Sequence, residues 1–548
     1  MSDFNCFFVG VDVGTSSVRA AVVDNKGEIK SSASAEIKIW EPRPGLYEQS
    51  SENIWACCCE VVKKVTNNID KKCIKGIGFD ATCSLVALDA NFQPISVSPS
   101  GSNEQNVVMW MDHRAHAQAQ RINATHHDVL KYVGGSMSLE MEPPKLLWLK
   151  ENLPETWAKA GNFFDLPDYM TYKATGSTTR SLCSLVCKWA YQADSDGKNQ
   201  WDESFMKQIG LEELLLNDFA KIGNVVLSPG EPVGNGLSTS AANDLGLHPG
   251  IPVGCSIIDA HAGGIGMLGL TEQQENITNK LAIISGTSSC HMAVSEAALF
   301  VPGVWGPYYS AMIPGYWLNE GGQSASGKLI DFVIETHRAY DELKMKSAKR
   351  NIHVHDFMNE LLLSVAINQK LQSPASLTAD LHVWPDFHGN RSPLADPNLK
   401  GMISGLALSS SIESLALLYL ATIQAIALGT KHIIESMEKA GHSFSSVFSC
   451  GGLSKNKLFV QVHADVTGLP VMLPKECDSV LVGAAILGAC ASSQFEDVQD
   501  AMKHMCKVGS VVEPIRSNMS FYKKKYAVFK KMVQDQKEYQ SIMESISI

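Results

Sequence analysis

The sequence has few positive charges and no long uncharged apolar stretch. Its 548 residues include 46 Lys and Arg against 57 Asp and Glu, a formal net charge of −11. That balance argues against a nucleic acid or an anionic membrane as a partner. No run approaches the ~18 consecutive apolar residues of a membrane-spanning helix. No basic segment followed by an apolar core marks a secretory signal, so a cytoplasmic protein is expected.

Patterned cysteines are missing as well. None of the 14 cysteines belongs to a C-x-x-C pair, so neither a zinc ribbon nor a thioredoxin-type redox site is indicated. Many unpatterned cysteines in a large chain are typical of a reducing compartment. The length exceeds what one hydrophobic core supports, and two domains of roughly 250 residues each are therefore expected.

What the sequence does contain is a distinctive turn near its start. The apolar run Phe7–Val13 carries Asp12 near its end, and Gly14-Thr15-Ser16-Ser17 leads into a second apolar run. This pattern predicts a β-hairpin. Gly14 lets the backbone approach a ligand, the hydroxyl and N–H groups of the turn suit phosphate oxygens, and Asp12 could hold Mg²⁺ against them. A solvent-exposed hairpin turn is the alternative.

The same letters return about half a chain length later. Gly286-Thr287-Ser288-Ser289 again stands between two apolar runs. A repeat at half length predicts two similar domains, each bringing a phosphate-gripping hairpin to a shared cleft. A third stretch, Gly322 to Leu329, has the spacing of a P-loop up to Lys328, but Leu329 stands where a P-loop needs Ser or Thr for Mg²⁺, so we reject that reading.

The strongest catalytic candidate is Asp259. An apolar stretch over 251–258 predicts a buried strand, and Asp259 follows it directly, ahead of small residues that open a helix. A carboxylate at a strand tip faces a cleft with little steric cover, and kinases need one there to orient a hydroxyl and accept its proton. An Asp before a helix also serves as an N-cap; the two roles are compatible.

Two further segments point to ligands. The predicted strand 74–79 ends in a polar cluster that includes Asp80 and Ser84, at the position where open α/β sheets bind ligands; a cap by Asp80 is the alternative. Gly451-Gly452 ends another predicted strand, and paired glycines allow a flat base or ribose to lie against the backbone. The small-residue helix predicted over 480–489 would pack beneath such a nucleotide.

Together these segments resemble the actin/hexokinase/heat-shock-ATPase superfamily and, within it, the FGGY carbohydrate kinases, over nearly the whole chain. The resemblance implies an α/β fold of two actin-like (ribonuclease H-like) ATPase domains flanking a nucleotide and sugar cleft. We expect an N-terminal domain over 1–268, a C-terminal domain with the adenosine motif over 269–500, and a helical tail over 501–548. The basic stretch 522–539 of that tail predicts a solvated terminal helix. The boundary is drawn in the polar stretch 271–276.

The resemblance also implies ATP and Mg²⁺ as cofactors, a small sugar as substrate, and catalysis by Asp259. The implied contacts are Gly14, Thr15, Ser16, Gly286, Thr287 and Ser288 for the ATP phosphates, Gly451, Gly452 and Asn456 for adenosine, Asp12 for the metal, and Asp80, Ser84, Lys188, Asp259 and Glu320 for the sugar.

The substrate is implied by one branch of the family. In the ribulokinase-like branch, which this chain resembles most, a Lys in the context of Lys188 reaches the substrate, although a Lys among apolar residues more often extends to solvent. D-ribulose, converted to its 5-phosphate, is therefore the first candidate. The alternatives are another ketose or polyol such as xylulose or glycerol, or a catalytically degenerate actin-fold ATPase used as a switch or scaffold. A homodimer is left open.

Overall fold

A computed structural model of the chain describes residues 6–269, 276–476 and 478–544. Its framework is two separate mixed sheets, one in each half of the chain. In spatial order, the first contains the strands Val253–Ile258, Ile74–Ala81, Phe7–Val13, Ser17–Asp24 and Ile29–Glu36. The second contains Trp305–Tyr309, Trp317–Gln323, Ser289–Ser295, Lys280–Ser285, Ser446–Cys450, Val471–Pro474 and Val508–Val512.

The two sheets share one local plan, which confirms both predicted hairpins. Phe7–Val13 pairs antiparallel with Ser17–Asp24 and parallel with Ile74–Ala81. Lys280–Ser285 likewise pairs antiparallel with Ser289–Ser295 and parallel with Ser446–Cys450. A parallel neighbour needs a crossover connection, so each hairpin turn lies at the same sheet edge as the end of a distant strand.

Helices and smaller sheets cover these frames. The helices of the first half are Ser51–Thr66, His116–Asn123, Glu142–Asn152, Pro154–Lys159, Leu166–Thr175, Leu182–Lys188, Glu203–Gln208, Thr239–Leu245 and Asp259–Leu268. Those of the second half are Gly327–Thr336, Tyr340–Arg350, Val354–Asn368, Ile412–Lys439, Lys457–Thr467, Ser479–Ala491, Val498–Met505 and Arg516–Glu544. A side sheet joins Trp40–Arg43, Leu46–Gln49, Val107–Val108, Leu85–Asp89 and Ala160–Asp165, and two strand pairs join Arg180–Ser181 with Val226–Leu227 and His382–Trp384 with Met402–Ser404.

The small-residue helix Ser479–Ala491 packs backbone to backbone against the first sheet. A β-carbon at Gly78 would lie 2.0 Å from the carbonyl oxygen of Ala484, and one at Gly10 would lie 2.2 Å from that of Leu481. The same helix touches Asp259–Leu268, where a β-carbon at Gly483 would lie 1.9 Å from the Ala262 oxygen. The predicted helix is therefore confirmed, and it joins the C-terminal half of the chain to the sheet of the N-terminal half.

The predicted terminal helix is present as Arg516–Glu544, but the expectation that its basic stretch 522–539 is solvated is wrong. The helix buries one face, including Tyr522 and Phe529, and the Phe529 ring lies 4.4 Å from that of Trp384. Its lysines are mostly exposed, with Lys525 buried, so the helix is amphipathic. Before it, Val508–Val512 is a strand that extends the second sheet by pairing antiparallel with Val471–Pro474.

One described helix, Ile412–Lys439, is long and apolar enough to cross a membrane, although it contains no strictly uncharged apolar run of that length. Of its most apolar window, 67% is buried inside the fold, and Tyr419, Ile423 and Ile426 are fully enclosed. It packs as the core helix of the C-terminal half. The predicted domain boundary over 271–276 lies outside the described residues except for Asn276.

The close glycine packing predicts a large stability effect. Gly78→Ala places a methyl group against backbone atoms that cannot rotate away, and we expect a loss of about 3 kcal/mol, at the upper end for overpacking. Gly101→Ala is the control, because its β-carbon meets nothing within 4 Å and only its positive φ of 75° is strained, a cost of about 1 kcal/mol. Chemical denaturation measures both. Equal losses would contradict the packing assigned to Ser479–Ala491.

Candidate active site

Three carboxylates meet at one edge of the first sheet. Parallel pairing sets Asp12 beside Asp80, and Ile257 is the partner of Asp80 on the other side. Asp259 follows two residues after Ile257, as the first residue of the helix Asp259–Leu268. The carboxyl ends of the three strands coincide, so residues far apart in sequence form one cluster.

One cation faces this cluster. Arg19 stands opposite Asp12 in the first hairpin, and its guanidinium bonds the Asp12 carboxylate through Nε at 2.8 Å and through Nη2. Its Nη1 also donates to Asp478 at 3.1 Å, just before the helix Ser479–Ala491. Arg19 therefore ties the first hairpin to the C-terminal half of the chain.

Asp80 has no such partner. It is fully buried, and neither carboxylate oxygen finds a hydrogen-bond donor among the described residues. Burial raises the pKa of Asp80 well above its ordinary value, and the charges of Asp12 and Asp259 raise it further. Burial and the Asp12 charge likewise raise the pKa of Asp259, to about 6. The cluster carries more negative charge than Arg19 compensates.

The first hairpin turn is exposed and anchored from behind. The Gly14 N–H donates to the Ser17 carbonyl at 3.0 Å, which closes the turn. The Trp110 indole donates to the Thr15 hydroxyl at 3.1 Å, and the Gln49 amide donates to the Thr15 carbonyl at 2.9 Å. These bonds fix the backbone of the turn from behind and leave Ser16 exposed.

The second hairpin turn is anchored by the segment that resembles a P-loop. The Gly327 N–H donates to the Gly286 carbonyl at 3.0 Å, and the Ser326 and Lys328 N–H groups donate to the Thr287 carbonyl at 2.9 and 3.2 Å. Gly286 and Thr287 are exposed, and Ser288 is half-buried. The segment therefore supports the predicted phosphate turn from behind.

The predicted adenosine motif adjoins this second turn. Gly451 has φ of 91°, and a β-carbon there would lie 2.4 Å from the Ser285 carbonyl oxygen, so only glycine fits. Gly452 faces open space. Asn456 differs from expectation, because its side chain caps the helix Lys457–Thr467 and bonds Tyr419 at 2.7 Å. It positions the motif rather than offering a free amide.

The predicted sugar residues Lys188 and Glu320 form a buried charged group. Lys188 is 2% exposed and lies over the Trp305 ring, 4.3 Å from its centroid. Although burial favours the neutral acid, the Lys188 ammonium and a hydrogen bond from His261 hold the pKa of Glu320 well below its ordinary value. Burial favours the neutral amine of Lys188, but the Cys83 sulfur and Glu320 hold its pKa above the ordinary value.

The remaining predicted sugar residues are placed differently. Asp80 responds to Asp12, Asp259 and Arg19, which groups it with the carboxylate cluster. Ser84 is fully buried, and its hydroxyl accepts the Trp110 N–H at 3.2 Å. Ser84 therefore fixes Trp110, whose indole in turn holds Thr15. Its contact with a sugar stays a prediction.

Sequence reasoning missed three residues of the site. Arg19 is a charged residue within a largely apolar strand, and that interruption could have indicated a functional side chain. Arg391, whose Nη2 bonds Glu320 and whose guanidinium lies 4.0 Å from the Trp305 ring centroid, comes from a loop without a local pattern. His261, which bonds Glu320 at 3.0 Å, stands two residues after Asp259, but the sequence around it does not reveal its partners.

The site fits a divalent cation and a polyphosphate. The two orphaned oxygens of Asp80 and the carboxylate of Asp12 are the oxygen ligands that Mg²⁺ prefers. β-Carbons at Gly286 and Gly452 would meet nothing within 4 Å, and one at Gly14 would meet only the Ser17 oxygen at 3.5 Å. Free space in front of these backbone amides leaves room for a bound group.

Comparisons with known proteins agree with this geometry. Residues 7–266 match the model of the N-terminal domain, and 281–492 that of the C-terminal domain, of the FGGY family of carbohydrate kinases. An FGGY carbohydrate kinase domain-containing protein of Xenopus laevis is 58% identical over 98% of both chains. A D-ribulokinase of Saccharomyces cerevisiae is 40% identical over 94% of this chain and 76% of its own.

A solved structure shows the fold. The xylulose kinase of Rhodospirillum rubrum superimposes with a TM-score of 0.77 at 18% identity, covering 97% of this chain and 99% of its own. The predicted two-domain α/β fold is thereby confirmed.

The unpaired Asp80 carboxylate predicts a stability cost in the ligand-free protein. Asp80→Asn removes a buried carboxyl group whose ionisation is opposed by burial and by the Asp12 charge, so we expect a gain of about 1–3 kcal/mol near neutral pH. A carboxyl with a raised pKa in the fold binds more protons folded than unfolded, so wild-type stability falls as pH rises above the unfolded pKa. The advantage of Asp80→Asn therefore grows with pH, as denaturation at several pH values measures.

Asp112→Asn is the matched control. Asp112 is also buried, but its two carboxylate oxygens accept hydrogen bonds from the Arg114 guanidinium at 2.8 Å each, and the Tyr47 N–H donates to it at 2.7 Å. It should lose stability instead of gaining it. A destabilised Asp80→Asn variant would contradict the absence of a partner for Asp80.

Proposed function

The chain belongs to the FGGY family of carbohydrate kinases, and from that premise we propose that it phosphorylates a free pentulose, D-ribulose first, to its 5-phosphate. The observation that carries this choice is the buried ammonium of Lys188. Its charge acts on both Glu320 and Asp259, so we assign all three groups to the sugar. The 40% identity with a D-ribulokinase supports the same choice.

An open-chain ketose suits these groups. The Lys188 ammonium donates hydrogen bonds and accepts none, which matches a carbonyl or an adjacent hydroxyl oxygen. Glu320 accepts from a hydroxyl, and Arg391 and His261 hold its two oxygens in place. An analogue that lacks one of the hydroxyl groups would leave a buried polar side chain without a hydrogen-bond partner and would therefore bind poorly. The pocket therefore selects for the arrangement of oxygens along the chain.

Asp259 is the proposed general base. Its pKa of about 6 leaves it ionised at neutral pH, yet close enough to that pH to accept a proton effectively. The Ala260 N–H donates to its Oδ1 at 2.7 Å, which fixes the carboxylate at the helix start. Asp259 orients the sugar hydroxyl and takes its proton as that oxygen attacks the terminal phosphate of ATP.

The remaining groups of the site bind the nucleotide and compensate charge. We assign the phosphates to the turns Gly14–Ser16 and Gly286–Ser288, and the adenosine to Gly451 and Gly452. Mg²⁺, when bound, neutralises phosphate charge, and Asp12 and Asp80 are the residues that would hold it. Arg19 already balances part of the Asp12 charge, so the metal site is partly compensated before any cation arrives.

A xylulose kinase and a non-catalytic ATPase are the alternatives to a D-ribulose kinase. Xylulose kinases share the fold at 18% identity, but so distant a likeness does not choose a substrate. A degenerate ATPase acting as a switch or scaffold would not need Lys188, Glu320 and Arg391 buried beside an ionisable Asp259. The assembled charges therefore favour turnover of a sugar.

A panel of free ketoses and polyols with ATP tests the proposal. We expect ADP release to depend on added sugar, with the highest kcat/KM for D-ribulose. Lys188→Ala should lower that kcat/KM about 100-fold or more, because Glu320 and the sugar oxygen lose a buried partner. Lys173→Ala is the control, since Lys173 pairs with Glu52 at 2.8 Å on another helix.

The outcomes separate the alternatives. A clear preference for xylulose or glycerol would overturn the D-ribulose assignment and leave the kinase intact. ADP release that ignores every sugar would favour the ATPase switch. Equal loss in both lysine variants would contradict the role given to Lys188.

A further inference from the structure

A cluster of two thiols and one imidazole lies beside the proposed sugar site. The imidazole is that of His261, which also holds Glu320, whereas the two thiols have no role in the proposed reaction. Cys183 and Cys187 stand one turn apart on the helix Leu182–Lys188, so their side chains share one face. His261 lies in the first turn of Asp259–Leu268. Cys183 and His261 are 0% exposed, and Cys187 is 1% exposed. The thirteen described cysteines are all free thiols.

The geometry suits one metal ion. Each of the three side chains offers one ligand atom, and these atoms all lie within 4.8 Å of one another; the Cys183 Sγ and His261 Nδ1 are 3.0 Å apart. With metal bonds of about 2.3 Å to sulfur and about 2.0 Å to nitrogen, ligand atoms around zinc lie roughly 3.5–4 Å apart. To hold zinc, the Cys183 sulfur and the His261 nitrogen would separate by about 0.5 Å, to roughly 3.5 Å.

The imidazole is already oriented for this task. His261 Nε2 lies 3.0 Å from the Glu320 carboxylate, and Glu320 is itself held by Arg391. A carboxylate on the outer nitrogen fixes the ring and its tautomer in most histidine–metal sites. The same contact turns Nδ1 toward the thiols.

The formal charges of the ligands also match a divalent cation. Cysteine ligates as thiolate and histidine as neutral imidazole. Two thiolates and one neutral ring carry two negative charges, which offset a divalent cation, and a buried site tolerates little uncompensated charge.

We infer that Cys183, Cys187 and His261 form an internal binding site for one thiophilic cation of the zinc class. Thiolate and imidazole together select such cations over Mg²⁺, which prefers oxygen. The cation displaces the protons that these three groups share in the metal-free protein. The site is distinct from Asp12 and Asp80, and it rests on the cluster geometry, whatever the sugar substrate.

Cd²⁺ titration of the reduced, full-length protein against a competing chelator tests the inference. We expect one tight equivalent with thiolate-to-cadmium absorption in the ultraviolet. Cys183→Ser and Cys187→Ser should each weaken that equivalent ~100-fold or more, since each removes a ligand. Cys58→Ser is the matched control, because Cys58 is a fully buried thiol on the helix Ser51–Thr66, and it should keep the tight equivalent.

Two further measurements keep the test decisive. Thermal melting verifies that each variant folds, and Cys187→Ala replaces a serine variant that does not. Zinc-edge X-ray absorption on the unaltered protein should show two sulfur ligands and one nitrogen ligand. The inference fails if the wild type binds no tight equivalent, if that equivalent survives in both serine variants, or if zinc is bound by oxygen alone.

Discussion

The active site depends on one electrostatic constraint: three carboxylates lie together at the edge of a sheet, and the Arg19 guanidinium is hydrogen-bonded to one of them, Asp12. Asp12, Asp80 and Asp259 meet there because three parallel strands end in register. Burying unpaired charge costs stability, so the arrangement persists only because the surrounding fold over-determines it. The excess charge makes the cluster receptive to a divalent cation. Burial, together with the Asp12 charge, raises the pKa of Asp259 to about 6, within the range of a useful base.

The rest of the fold serves to hold that edge against the second half of the chain. The glycine-lined contact between Ser479–Ala491 and the first sheet leaves no room for a side chain at Gly78 or Gly10. At the start of that helix, Asp478 reaches Arg19. The two hairpin turns are tied to their own halves, the first through Trp110 and the second through Gly327. These contacts fix the positions of both turns and of the carboxylate cluster.

The two hairpins, the strand-tip Asp259 and the Gly451-Gly452 turn could be predicted from short sequence motifs. Each motif constrains the backbone within a few residues, so no long-range contact has to be known. Arg391 could not be predicted, because its contact with Glu320 spans 71 residues and follows no repeat. Ser84 and Asn456 were recognised as polar, but only the fold shows that their side chains are already engaged. The terminal helix could not be recognised as packed from its many lysines alone, because Tyr522 and Phe529 lie on a separate, buried face.

The most direct test of the account is the turnover of Asp259→Asn with saturating ATP and sugar. The substitution keeps the size of the side chain and removes the base, so kcat should fall roughly 10²–10⁴-fold while the affinity for nucleotide stays close to that of the wild type. Turnover near the wild-type rate would contradict the account, because the carboxylate cluster would then have no part in the proton transfer.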